Sequence, residues 1–342
     1  MSEPKPNWQS QWTCPDIFAP NKGMIQEPPR LKHNRALSAA YISSAGSPPR
    51  YPKVSEQVEC LPMDTGKLFK HAYNPTIIDR GGSIYMAYRY HEGTLATKLA
   101  LASVSATGAI EGNVNIESDC HSLEDPKFFT HNDQAYLCFV HSNFPSNINA
   151  VVKYARLDGD HLNEIVQPFI GKNDFTATEK NWVFWSMEGE LFCLYRCQQT
   201  QKIFQVEDGK GVALNETPMP HWPYGEPRGG TPPVEYDGKL LRFFHTHLQN
   251  EITPPHHRYY VGACLMEPTP PFAVTQISRK PVIYGSESDD LTPEQRKECK
   301  HWKPNVVFPG GCVVRDGYWL LALGENDSAC RIVKIAPENL NL

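Results

Sequence analysis

The chain has 342 residues and a net charge of −5, with a pI near 6.2, which excludes the basic footprint of a nucleic-acid binder. Hydrophobic residues make up 40% and aromatics 11%, enough for a packed core and too apolar for a disordered chain. No run approaches the roughly 18 consecutive apolar residues of a membrane span, and MSEPKPNWQSQW at the N-terminus lacks the basic and apolar stretches of a secretory signal.

The first 65 residues carry little periodicity apart from Ala36–Ser44 and are expected to wrap the domain, part of them supplying a strand that closes it. A phrase then recurs five times: a polar or Pro-containing opening, an apolar stretch, a polar turn and an aromatic-rich strand with hydrogen-bonding residues at its end. The copies run from Asn74-Pro75-Thr76 to Tyr88-Arg89-Tyr90, from Glu124-Asp125-Pro126 to His141-Ser142-Asn143, and from Glu179-Lys180-Asn181-Trp182 to Tyr195-Arg196. The last two run from Gly229-Gly230-Thr231-Pro232 to His245-Thr246-His247 and from Phe308-Pro309-Gly310-Gly311 to Glu325-Asn326-Asp327.

Measured between Asn74, Asp125, Asn181, Thr231 and Pro309, the steps are 51, 56, 50 and 78 residues. A period near 50 is that of a four-stranded propeller blade with its loops. Polar turns such as Glu188-Gly189, Asp237-Gly238 and Asp316-Gly317 between apolar runs are hairpin signals. The long last step holds Leu291-Thr292-Pro293-Glu294-Gln295, whose Thr, Pro and Gln make a capping-box pattern and predict a short helix near residues 292–300. The sequence therefore predicts an all-β, five-bladed β-propeller filling residues 1–342 as one domain.

The ten cysteines form no CxxC pair. Cys193 and Cys197 would lie about 13 Å apart along a strand, beyond the about 7 Å a disulfide tolerates. Free thiols suit a reducing, cytoplasmic setting.

A propeller points the ends of its inner strands into a central funnel, so the polar residues opening and closing each repeat should converge there. They are Asn74, Arg89, Glu124, Asp125, Lys127, His141, Lys180, Asn181, Arg196, His245, His247, Glu325, Asn326 and Asp327. Carboxylates, amides, imidazoles and cations around one pocket suit an anionic or polyhydroxylated ligand. No phosphate loop, GxSxG elbow or HExxH motif is present. His245 and His247 share a strand face but show no third metal ligand, and no metal or organic cofactor is expected. His256-His257, after Pro254-Pro255, reads as an exposed turn, and Trp182 as core rather than a sugar platform.

In these pieces the chain resembles glycoside hydrolase family 130, the five-bladed mannoside phosphorylases and their relatives. The matches are Tyr73-Asn74-Pro75, Tyr88-Arg89, Glu124-Asp125-Pro126-Lys127, Lys180-Asn181, Leu194-Tyr195-Arg196, Phe244-His245, Val306 through Gly311 and Gly324-Glu325-Asn326-Asp327, in the family's order. The resemblance implies that Asp125 is the acid of an inverting displacement, relaying its proton through a mannose hydroxyl while phosphate attacks the opposite face. It implies a phosphate pocket of Lys180, Arg196 and His245, with Asn74 on the sugar side and Arg89 and Asp327 holding sugar or lining the pocket; from the converging funnel set, Glu124, Lys127, Asn181, His247 and Glu325 are further substrate-binding candidates. Inorganic phosphate would be co-substrate, with an oligosaccharide or sugar phosphate as partner and neither nucleic acid nor membrane involved.

Two departures stand out. The family's Glu-Asp-Pro-Arg reads Glu-Asp-Pro-Lys here, which keeps the charge of Lys127 but loses the bidentate fork. The further arginine of phosphorylases has only Arg156 as a counterpart, which reads equally well as an exposed charge on a strand. These leave hydrolysis, with Glu325 as second carboxylate, and GDP-mannose-dependent β-1,2-mannosyl transfer as alternatives on the same site. A carbohydrate-binding propeller is the non-enzymatic alternative, although Glu124-Asp125-Pro126 is intact. Asp125 also suits a plain turn before proline, and Arg89 and Arg196 could tie blades together.

Overall fold

A computed structural model describes residues 51–142, 150–170, 178–250, 256–287 and 289–342. Ala36–Ser44, Cys14, Asn143 and the segment expected to wrap the domain up to residue 50 lie outside them. A turn of helix, α1 (Val54–Gln57), leads into β1 (Glu59–Cys60), and the strands form five sheets, antiparallel except for one short parallel pair in the third blade. Blade I is β2–β5 (Tyr73–Arg80, Ser83–Tyr90, Lys98–Val104, Ile110–Asn115), and blade II is β6–β9 (Leu123–His131, Gln134–His141, Val151–Asp158, His161–Val166). Blade III is built on β11–β14 (Val183–Met187, Glu190–Cys197, Thr200–Glu207, Lys210–Ala213), edged by β10 (Phe169–Ile170) and β15 (Thr217–Pro218). Blade IV joins β16–β19 (Val234–Tyr236, Lys239–Asn250, His256–Met266, Val274–Ile277) to β20 (Ile283–Tyr284). Blade V is β21–β23 (Val307–Arg315, Tyr318–Glu325, Ala329–Ile335) with β1 as its outer strand, so a segment from before blade I completes the last sheet.

The inner hairpin of every blade turns in two residues. Gly81-Gly82, Asn132-Asp133, Glu188-Gly189, Asp237-Gly238 and Asp316-Gly317 all have positive φ, the I′ pattern that matches the twist of the flanking strands. The strands then bury both faces against neighbouring blades. In Trp319-Leu320-Leu321-Ala322-Leu323, Trp319, Leu321 and Leu323 pack with Leu241, Phe243 and Val261 of blade IV. Leu320 and Ala322 pack with Ile84, Met86 and Tyr88 of blade I. The period-2 alternation of a strand thus makes one run serve two interfaces. Three further clusters lie between blades I and II, II and III, and III and IV, one core for each junction of a five-membered ring.

Helix α2 (Pro293–Glu298) has Thr292 as its N-cap, with Gln295 N–H donating to the Thr292 hydroxyl at 3.3 Å and Thr292 N–H to the Gln295 side chain at 2.8 Å. His256 and His257 differ from expectation. They open β18 opposite Asn250 and Gln249, because the blade IV hairpin runs longer than the other four. Among the described residues no helix is long and apolar enough to cross a membrane, and all nine described cysteines are free.

Candidate active site

Asn74 and Asp125 sit at matching places on the inner strands of blades I and II. Each lies in a register shift, between Tyr73 and Thr76 and between Glu124 and Lys127, and each has a left-handed backbone, φ 48° and 51°. Asn and Asp tolerate that region better than other non-glycine residues, and a bulge there re-aims the side chain. The prolines that follow, Pro75 and Pro126, lie on strands at sheet edges, where a missing N–H is tolerated. Glycines of the last repeat allow close approach of blade V to the opening of blade I. A Cβ on Gly310 would meet the Pro75 carbonyl oxygen at 2.0 Å, and one on Gly324 would meet Asn74 Oδ1 at 2.1 Å.

Around Asp125 these strands assemble one chain of polar groups. Asp125 Oδ1 accepts from Arg89 Nη1 and from Asn74 Nδ2, both at 2.9 Å. The Asn74 amide nitrogen also lies 3.4 Å from Asp327 Oδ1, and Lys303 Nζ is 3.4 Å from Asp327 Oδ2. On the other side Arg89 reaches Glu124 Oε2 at 3.5 Å, and that oxygen accepts from Lys180 Nζ at 3.1 Å. Arg89 is buried beneath the cluster with its guanidinium 4.6 Å from the Tyr73 ring centroid, whereas the Asp125 side chain remains 16% exposed. Burial alone pushes the Asp125 carboxyl up. Arg89, then Lys180, the Asn74 amide and Lys127 outweigh it and hold the group well below the usual carboxylate range. Asp327 goes the other way: burial pushes it up, against the pull of Lys303 and Arg89.

A second wall is cationic. Lys127 is 2% exposed, and its Nζ has no hydrogen-bond partner among the described residues; it lies 4.3 Å from the Phe308 ring centroid. Burial pulls its ammonium down, opposed by the charge of Asp125. His245 is equally buried, stacks on Tyr259 at 6.0 Å, and leaves Nδ1 unpartnered among the described residues. Burial, then Arg228 and Lys127, hold this imidazole far below its ordinary value, so it is neutral. Arg228 N–H donates to the His245 carbonyl oxygen at 2.8 Å. A buried ammonium with no hydrogen-bond partner among the described residues is costly, and one near a neutral imidazole and an arginine is suited to a bound anion.

The structure thus joins Asn74, Arg89, Glu124, Asp125, Lys180 and Asp327 in one network and sets Lys127 and His245 beside it. His247 stacks on the same Tyr259 at 4.9 Å, and Asn181 (φ 65°) opens blade III where Gly229 approaches its carbonyl. Arg196 is exposed beside a bulge at the end of β12. Glu325 lies elsewhere. Its carboxylate accepts from Arg331 Nε at 2.9 Å and from Val54 N–H at 3.4 Å, because it points to the next strand and to α1 rather than to Asp125. Asn326 is a buried strut, accepting from Val306 N–H and donating to the Ser286 carbonyl and Asp289. His141 neighbours Lys153 and His121. Arg156 pairs with Asp158 and Glu164 on the outer strands of blade II, and Trp182 is core.

Sequence reasoning passed over Arg228, Lys303, Tyr259 and Phe308 as site residues. Arg228 carried a signal, since it directly precedes the Gly229-Gly230 opening of a repeat. Lys303 carried none, because it enters from the insertion outside the repeat.

Residues 55–342 match the sequence profile of glycoside hydrolase family 130, described as beta-1,4-mannooligosaccharide phosphorylase. A comparison with curated protein sequences finds no match. Among solved structures, the chain is similar to MPT-4, a mannose phosphorylase from Leishmania mexicana in complex with phosphate ion (15% identity, TM-score 0.58, 90% of this chain and 93% of that one). It is also similar to the beta-1,2-mannobiose phosphorylase of Listeria innocua (13%, 0.58, 79% and 91%). A glycosyl hydrolase from Bacteroides ovatus gives 14%, 0.58, 79% and 85%. At these identities the structural likeness shows the propeller alone, whereas the profile match spans all five blades. The chain belongs to glycoside hydrolase family 130 and is an enzyme of the mannoside phosphorylase and hydrolase class that acts on β-mannosides.

Proposed function

We propose that the enzyme cleaves β-mannosides by inverting phosphorolysis, or runs the reverse synthesis from mannose 1-phosphate, with Asp125 as the acid. The observation that carries this is the buried Lys127 ammonium with no hydrogen-bond partner among the described residues, beside neutral His245 and within the field of Asp125. Inorganic phosphate placed between Lys127, Lys180, His245 and Arg228 supplies the missing anion. Lys in place of the family's arginine keeps the charge and gives up only the fork.

Phosphate also bears on the acid. In the free protein Arg89, Lys180 and Lys127 hold Asp125 ionised. A phosphate that engages Lys180 and Lys127 shares their charge and relaxes that hold, moving Asp125 toward the protonated form an acid requires. The proton then passes through a mannose hydroxyl to the leaving oxygen as phosphate forms the new bond to the anomeric carbon. Asn74 and Arg89 keep the carboxyl aimed, and Glu124 holds Lys180.

An inverting hydrolase leaves about 6.5–9.5 Å between two carboxyl groups for its water. Asp125 Oδ1 and Asp327 Oδ1 lie 2.9 and 3.4 Å from one amide nitrogen, which brings those oxygens closer than that spacing. Glu325 is committed to Arg331. Both facts favour phosphate as nucleophile. The test is product analysis with purified enzyme on a panel of β-mannosides, with and without phosphate, beside Asp125→Asn. Phosphate-dependent mannose 1-phosphate that is lost in the variant supports the proposal. Phosphate-independent mannose, or elongation from GDP-mannose alone, overturns it.

A further inference from the structure

Next to the polar network, three metal-ligating residues from distant parts of the chain come together. His71, half-buried and left-handed at φ 57°, precedes β2, while His91 follows β3 and is 0% exposed. Cys299 caps the C-terminal end of α2 and is buried. One ligand atom from each of the three lies within 4.8 Å of the others. The His71 and His91 rings stack at 4.4 Å, and His301 meets His91 edge-on at 5.0 Å.

The second observation is polar and independent of that spacing. Neither ring nitrogen of His91 has a hydrogen-bond partner among the described residues, and neither does His301 Nε2. The Cys299 thiol lies 3.7 Å from the Asp327 carbonyl oxygen, and backbone N–H groups of His301 and Trp302 favour its thiolate against the effect of burial. A buried imidazole with both nitrogens unsatisfied calls for a partner that the described residues do not supply. We propose that His71, His91 and Cys299 form a zinc site, with a water as the fourth ligand.

Two imidazoles and a thiolate are a borderline-soft set that suits Zn2+ in tetrahedral geometry. Bonds of about 2.0–2.1 Å to nitrogen and about 2.3 Å to sulfur put neighbouring ligand atoms roughly 3.3–3.6 Å apart. The three side chains, within 4.8 Å of one another, therefore close by up to about 1.5 Å on binding. The stacked rings, 8° from parallel, must also open, since the metal lies in the plane of each imidazole it binds. His71 is the ring with space to swing. Zn2+ displaces the Cys299 thiol proton to solvent and takes the thiolate. The ion would clamp the α2 insertion to blade I directly beneath Asp327, with His301 stacked on Tyr73 at 5.7 Å.

The test uses the full chain, reduced and stripped with chelator, titrated with Co2+ alone. One equivalent should develop a near-ultraviolet thiolate-to-cobalt charge-transfer band with strong tetrahedral absorption in the visible. Zn2+ should displace the cobalt and raise Tm. Cys299→Ser should lose the charge-transfer band. His71→Asn, at a half-exposed position whose backbone suits asparagine, should weaken binding at least tenfold with an unchanged circular dichroism spectrum. Absence of the band in the wild type overturns the proposal. So does a band that survives in Cys299→Ser, or unaltered affinity in His71→Asn should the serine variant fail to fold.

Discussion

Gly324→Ala is a single methyl placed against the acid's support. A Cβ there would sit 2.1 Å from Asn74 Oδ1 and 3.0 Å from both Asn74 Cα and N. Asn74 is pinned by its bulge, so its amide must swing away from Asp125, which it holds at 2.9 Å. A hydrogen bond to a charged group contributes about 1.5–3 kcal/mol, and overpacking adds about 1–3 kcal/mol of destabilisation. Displacing a catalytic group by an ångström costs on the order of 100-fold in rate. The expected outcome is a kcat/KM on β-mannoside lower by about 10–100-fold, with a Tm drop consistent with about 1–3 kcal/mol. Asn74→Gly, which keeps the positive φ without strain, should lose a similar amount of activity. Because both act on one side chain, the double variant should be little worse than either alone. Full activity in Gly324→Ala, or additive losses in the double variant, would refute the argument.

Lys127→Met removes the unpartnered ammonium while keeping its length. It should change the stability of the phosphate-free protein little in thermal melts, because relief of the buried ammonium offsets the lost attraction to Asp125, while abolishing stabilisation by added phosphate. His245 is neutral when folded and takes a proton when unfolded below about pH 6.5. The unfolded state then binds more protons, so stability falls as pH drops from about 6.5 toward the depressed folded value. His245→Gln should flatten that slope by up to about 1.4 kcal/mol per pH unit, measured by denaturant melts between pH 5 and 7. Glu325→Gln should lower stability by about 1–3 kcal/mol, since the Arg331 pair loses its charge, and leave the requirement for phosphate intact in product assays.

The propeller was legible because each blade repeats the same local chemistry. The five two-residue turns and the alternation in Trp319–Leu323 are properties of consecutive residues, and so is the Thr292 capping box. The core of the site was legible for the same reason, since Asn74 and Asp125 occupy equivalent openings. What the repeats did not tell was where a side chain points after its strand ends. Glu325 turns to Arg331, and Arg196 comes to the surface beside a bulge. Lys303 and Cys299 arrive from the insertion, outside any repeat. His71, His91 and Cys299 show no ligand spacing because the ends of two blade I strands and a distant helix end bring them together.

The most direct measurement of the account is an NMR time course of β-mannoside cleavage in phosphate buffer, reading the anomeric configuration of the first-formed product. Inverting phosphorolysis predicts α-mannose 1-phosphate accumulating with wild-type enzyme and absent with Asp125→Asn. Free mannose as the first product, formed at the same rate whether or not phosphate is present, would contradict it.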